Sequence, residues 1–313
     1  MKDITNPIIF RAALPSMASV ANHLQDIPFS EMPVGSTLLS ASGFVSNPVS
    51  GELVTPIGCG FSFVLRHDEK VIPPAEVKKE VQSRVDAMVN SGIPVSRKEK
   101  AAIKDDVICI LAARAFTRST MVVCHYHEKA GLLFVAGSEK MAQLAMRLLV
   151  RCVGSVKTQT IHIDGIKKGL TSALKGYIQE CDLHGEGESA FAGLTVGGDI
   201  KLALPGTTEE LSFSSIEPTD NAELLSALAR DFVVQSIRLH DGNALSLTLD
   251  HCFRFKSLKW PKADRSPDAD EAFQWRSNAT LQVMALADLV ERLCALLGYQ
   301  EPSEGEASPI AAE

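Results

Sequence analysis

The stretch between Pro73 and Arg118 limits what this chain can fold into more than any other. Pro73-Pro74 opens a helix, because proline at the first turn sacrifices only an N–H that would have no partner anyway. Val77, Val81, Val85 and Val89 then recur every four residues and give one apolar face to about Asn90, where Ser91-Gly92 stops it. Ser96 and Glu99 form a capping box, each side chain satisfying a backbone N–H the helix start leaves free. Ile103, Val107, Ile110 and Leu111 mark the buried stripe of this second helix. With only residues 92–95 between them, the two helices must fold back as an antiparallel αα-hairpin.

Strand patterns flank the hairpin. Residues 7–12 and 60–65 precede it, with a helix at 17–24 inside a Pro-, Gly- and Ser-rich stretch. Strands 121–126 and 132–136 follow, joined by a polar turn, and then a helix over 139–153 that ends at Gly154. From Lys157 the pattern restarts: a strand at 158–163, a helix at 168–179 and a Gly-rich loop at 184–198. Further strands are expected at 200–204 and 211–215, a helix at 222–229, and strands 232–239 and 244–255 around the hairpin signal Asp241-Gly242-Asn243. A strand at 280–284 and a helix at 287–297 close the chain. Helices and strands mix without regular βαβ alternation, so the expected class is α+β, with mixed sheets and an αα-hairpin. The expected regions are a central α+β part (1–65 with 120–165), the hairpin region (66–119), a C-terminal α+β part (166–298) and a disordered acidic tail (299–313).

Charge and cysteine usage narrow the function classes. The apolar runs at 107–113 and 121–124 are too short to span a bilayer, and Arg11 interrupts the only candidate for a secretory segment. A cytosolic protein with no membrane partner is expected. The seven cysteines are scattered, odd in number and form no Cys-x-x-Cys pair, which argues against a disulfide framework or a zinc ribbon. The net charge of −7 is unevenly spread: residues 66–118 carry 11 bases against 8 acids, while Glu301, Glu304, Glu306 and Glu313 load the C-terminal end. A basic block of this kind is ordinarily a solvated helical face.

Catalytic signatures are missing. There is no P-loop, no dinucleotide fingerprint and no Gly-x-Ser-x-Gly elbow. His125-Tyr126-His127 puts two imidazoles on one face of a strand, but without a third ligand it reads as an edge-strand pair; Cys181 and His184 are equally unsupported. Asp105-Asp106 point about 100° apart on a helix and cannot easily share one ion. Neither an enzyme nor a cofactor or metal is indicated.

Three stretches carry a resemblance. They are Asp68-Glu69-Lys70-Val71-Ile72-Pro73 with Val77-Lys78 and Arg84-Val85; Arg97-Lys98-Glu99-Lys100 running through Ile103-Lys104-Asp105-Asp106-Val107 to Arg114-Ala115-Phe116-Thr117-Arg118; and Gly131-Leu132-Leu133-Phe134-Val135. Their order and spacing resemble the RdgC family of bacterial and phage recombination-associated proteins, from about Ile8 to Gly298. The resemblance implies a ring-shaped homodimer that encircles double-stranded DNA with little sequence preference, associates with the nucleoid and limits RecA-dependent recombination. The family also carries an exonuclease label; a metal-dependent DNA exonuclease is therefore the alternative, although this sequence shows no carboxylate cluster for it. A module that binds the recombinase directly is a third reading.

Arg97, Lys100 and Lys104 lie within about 60° of one another around the helix axis and can face phosphates beside the apolar stripe. Lys78 and Arg84 match basic family positions, Arg114 and Arg118 belong to the family's Arg-x-Phe-x-Arg element, and with Lys98 and Lys201 they complete the expected DNA-binding set. Lys201 is the only base where the family tends to carry a lysine-rich turn. Lys256, Lys259, Trp260 and Lys262 read as a solvated turn or a phosphate-contacting edge. Phe116, within the family's Arg-x-Phe-x-Arg element, either inserts into the partner subunit as a dimer contact or packs in the core at a helix end.

Overall fold

A computed structural model describes residues 3–185, 187–242, 245–261 and 270–301. A first, antiparallel sheet is built from β1 (Pro7–Arg11), β2 (Ser40–Val45), β3 (Val54–Ile57), β4 (Gly60–Lys70), β5 (Thr117–His127), β6 (Leu132–Ala136) and β7 (Gln159–Thr160). Its order is β2-β4-β5-β6-β1-β7, with β3 also paired to β4. A second sheet contains β8 (Thr195–Ala203), β9 (Glu210–Phe213), β10 (Val233–Asp241), β11 (Leu245–Asp250) and β12 (Phe255–Lys259), in the order β12-β11-β10-β8-β9. The helices are α1 (Met17–Leu24), α2 (Pro74–Asn90), α3 (Arg97–Arg114), α4 (Glu139–Val153), α5 (Ile166–His184), α6 (Ala222–Ala229) and α7 (Glu271–Leu296). The molecule is α+β, built on antiparallel sheets.

Strand alternation divides the first sheet between two cores. Phe61, Phe63 and Leu65 of β4, with Val122, Cys124 and Tyr126 of β5, face α1 and α4 and bury against Met141, Ala145, Met146 and Leu149. Ile9, Leu132 and Phe134 face the other way, into a larger core shared with α5, the second sheet and α7. Each fully buried side chain of this size contributes about 1.5–3 kcal/mol through lost apolar surface. Thr171 of α5 accepts the Val234 N–H at 2.9 Å, and Gln282 of α7 accepts the Ile4 N–H at 3.0 Å, so polar bonds also tie α5 to β10 and α7 to the segment before β1.

Several expectations are corrected. The Ser- and Gly-rich 40–45 stretch is a strand, because it pairs along its whole length with β4, and Pro56 is tolerated in β3, which pairs only with β4. The strand expected at 60–65 runs on to Lys70, and that expected at 121–126 starts at Thr117. These polar extensions pair in unbroken register from Gly60↔His127 to Lys70↔Thr117, so backbone hydrogen bonding holds where apolar patterning gives no cue. β5 lies inside the sheet, so His125 and His127 are not an edge pair. Residues 244–255 break at β11, where Asp250 Oδ1 accepts the N–H groups of Cys252 and Arg254. The strand expected at 280–284 is the middle of α7: Ala279, Val283, Leu286, Ala287, Val290 and Leu293 bury at helical spacing. Asn243, Lys262 and residues 302–313 lie outside the described residues, and Tyr299 sits 5.0 Å from the Arg11 guanidinium, its ring beneath that cation.

The hairpin leaves the sheet from β4 and returns through β5. Its helices occupy 74–114, inside the expected limits of 66 and 119, which lie within the two strands. Ser96 Oγ accepts the Glu99 N–H at 3.2 Å and Glu99 Oε2 accepts the Ser96 N–H at 2.7 Å, so the capping box is formed. The hairpin's own core is small: Val77, Val81 and Val107 are buried, with Val85, Ile103 and Leu111 half-buried around them. Val89 and Ile110, expected on the buried faces, are exposed because nothing among the described residues covers the hairpin there.

Candidate functional site

Between the hairpin, the distal end of the first sheet and α4 lies a cleft of about 980 Å³. Six cations line it: Lys70 at the end of β4, Lys78 on α2, Lys100 and Lys104 on α3, and Lys140 and Arg147 on α4. Helix geometry places them. Lys100 and Lys104 are one turn apart on one face, and so are Lys140, Leu144 and Arg147 at positions i, i+4 and i+7. The floor is aliphatic, formed by Val77, Val81, Ile108, Met141 and Leu144, and among the described residues no Phe, Tyr or Trp lines the cleft.

One carboxylate, Glu69, stands among these cations. It is held by Arg118, and Lys140 Nζ lies 3.6 Å from its Oε2. The Arg118 hydrogen bond, followed by the charges of Arg118 and Lys140, holds its carboxyl below the usual range. Beside it, His67 is directly across from Ser42 in the β2–β4 register, with Ser42 Oγ 2.7 Å from its Nδ1. His67 is only 6% exposed, and its Nε2 has no hydrogen-bond partner, the nearest carboxylate oxygen of Glu69 being 3.8 Å away. Lys70 Nζ donates to the Ala115 carbonyl at 3.4 Å.

Of the residues expected to contact DNA, Lys78, Lys100 and Lys104 line the cleft together. Arg84 lies elsewhere on α2, paired with Glu80 at 3.0 Å. Arg97 and Lys98 begin α3 and are exposed, Arg114 ends it, and none of the three lines the cleft. Arg118 is drawn to Glu69 at the cleft's edge. Lys201 is exposed on β8 of the other sheet, away from the rest. Phe116 is 87% exposed, so it is not the core phenylalanine that its helix-end position allowed.

Sequence reasoning missed Lys70, Lys140, Arg147, His67 and Ser42. The Lys140-x3-Leu144-x2-Arg147 spacing was a readable signal of a basic helix face. Lys70 lay in a stretch that carries the family resemblance but was not singled out, and His67 carried no signal, because both fall beyond the expected end of the strand at residue 65. Among the described residues no three His, Cys, Asp or Glu side chains gather as a metal-sized cluster, and no helix is long and apolar enough to cross a membrane. The seven cysteines are free thiols. The other Ser–His pair, Ser62 with His125 at 2.7 Å, is buried beneath Trp275 and faces no cleft of comparable size.

Comparison with known proteins gives a consistent result. A family model described as "Putative exonuclease, RdgC" matches residues 4–300. A protein of Actinobacillus succinogenes named Recombination-associated protein RdgC is 30% identical over 278 residues, 86% of this chain and 88% of that one. Proteins of the same name from Aeromonas hydrophila and Pseudomonas entomophila are 25% and 24% identical, covering 87% and 90% of this chain and 89% and 96% of their own.

Proposed function

The chain belongs to the RdgC family, and from that membership we propose that it binds double-stranded DNA without sequence preference, encircles it as a homodimer and limits RecA-dependent recombination. One observation carries the reading: six cations and a single, already paired carboxylate share one concave surface in a chain of net charge −7. Lysines spaced along two helix faces suit phosphates, which carry no sequence information. The negative charge elsewhere disfavours DNA on other faces. Phe116, exposed at the foot of the hairpin, supplies an apolar contact for the second subunit.

The test is a salt titration of binding to linear and nicked circular duplex, with the mass of the free protein measured alongside. Affinity should fall steeply with salt, and Lys100→Glu/Lys104→Glu should weaken binding to all sequences alike. The double variant should also make the log–log salt slope shallower by about two, one per lost phosphate contact. A monomeric protein, or a double variant that binds like wild type, overturns the reading. For the exonuclease in the family description no carboxylate cluster stands among the described residues. Divalent-metal-dependent degradation of linear duplex by the purified protein would put a nuclease in place of the binding reading.

A further inference from the structure

We propose that the cleft beneath the hairpin binds a single unpaired nucleotide, its base on the aliphatic floor and its phosphates among the lysines. Phosphates of an intact duplex can meet only the rim, since the duplex is too wide to enter. They leave uncovered the half-exposed Ile108 and Leu144, which with the outer edges of the buried Val77, Val81 and Met141 make an apolar strip between charged walls. A volume of about 980 Å³ lies within the range of pockets that take small ligands whole.

The polar groups give the ligand a direction. Ser42 pins His67 through Nδ1 at 2.7 Å, which fixes the ring and leaves Nε2 buried without a hydrogen-bond partner, 3.8 Å from Glu69 Oε2. If the serine hydroxyl donates to Nδ1, Nε2 carries a proton and donates; in the other tautomer it accepts. His67 lines the sheet end of the cleft, and its Nε2, buried and without a hydrogen-bond partner, is a polar atom that a base edge entering there would satisfy and a plain hydrocarbon tail would not. Glu69 stands at the same end and disfavours phosphate there. Lys78, Lys100 and Lys104 line the hairpin side, and that is where the phosphates belong. A free nucleoside polyphosphate and the unpaired end of a DNA strand share this chemistry. Occupancy would also take up lysines that duplex binding uses; this competition rests on the proposed function, while the pocket itself does not.

The experiment is calorimetric titration of the full chain, without divalent metal, using ATP, adenosine, inorganic tripolyphosphate, a blunt duplex and a duplex with a single-stranded overhang. ATP should saturate one site per chain and bind about tenfold or more tighter than tripolyphosphate, a difference of about 1.4 kcal/mol contributed by the base. Leu144→Gln should remove that advantage while leaving tripolyphosphate and blunt-duplex binding in place. Lys78→Glu, at an exposed position, should weaken ATP and tripolyphosphate alike without changing the melting temperature. An overhang that displaces ATP names a strand end as a natural occupant, and ATP that resists it names a free nucleotide; both support the pocket. Equal affinities for ATP and tripolyphosphate, or ATP binding that does not saturate by about 1 mM, overturn it. Loss of blunt-duplex binding with ATP binding retained would sink the DNA reading and leave the pocket standing.

Discussion

His125 shows how one side chain ties the fold to pH. It lies between the first sheet and α7, bonded to Ser62 and with Trp275 stacked 6.1 Å away. Burial pushes its pKa down from 6.5 to about 4, so the folded protein holds it neutral. An unfolded chain takes up the proton near pH 6.5, whereas the folded one does not until about pH 4. Its contribution is therefore intact above pH 6.5, is lost progressively as pH falls towards 4, and declines no further below that. The expected loss is on the order of 3 kcal/mol. Denaturant unfolding at pH 7 and pH 4 should show His125→Gln losing less stability than wild type by roughly that amount. Parallel losses in the two proteins would mean that the imidazole is already charged or hydrated in the folded state.

Among the elements, the hairpin and α7 behave as opposites. The hairpin's core is three buried valines, so its stability should be local. Ser96→Ala removes half the capping box and should cost about 1 kcal/mol. The loss should appear as faster amide exchange within α2 and α3, with the global melting temperature nearly unmoved. An equal slowing or acceleration across both sheets would contradict this. In α7, Gln282 bonds the buried Ile4 N–H and donates to Asp3 at 2.7 Å, clasping the N-terminal residues to the core. Gln282→Leu should lower global stability by about 1–3 kcal/mol, since it leaves a buried N–H without a partner, and thermal unfolding measures it directly.

The same contrast explains what could be read in the sequence. α1, β6, α4 and α6 have the limits their patterns predict, because periodicity and caps agree there. Helix α7 looked like a strand followed by a helix because the β-branched Thr280 and Val283 favour strands, yet Leu281, Gln282 and Met284 between and beside them favour helix and a 26-residue amphipathic face decides it. The cleft was half legible. Lys78, Lys100 and Lys104 belong to a local motif, but Lys140 and Arg147 join them only through packing between elements distant in sequence.

For the whole molecule, charge and self-association should be coupled. The proposed ring has to close through contacts that a single chain does not satisfy, and Phe116 is the exposed aromatic best placed for that. Phe116→Ala should shift the monomer–dimer balance towards monomer in sedimentation and shorten the residence of the protein on nicked circular duplex more than on linear duplex. A fully dimeric variant that persists on circles would separate Phe116 from ring closure.

The register of β4 and β5 has one more implication. Lys70 and Thr117 sit opposite each other in the ladder, so the chain departs into the hairpin and comes back at neighbouring points. Everything from Val71 to Phe116 thus leaves and rejoins the sheet at one place, where a tight two-residue turn could bridge the gap or an arm of another length could attach to the same stub. Such exchange would let a lineage retune what the arm grips while the sheets beneath stay unaltered.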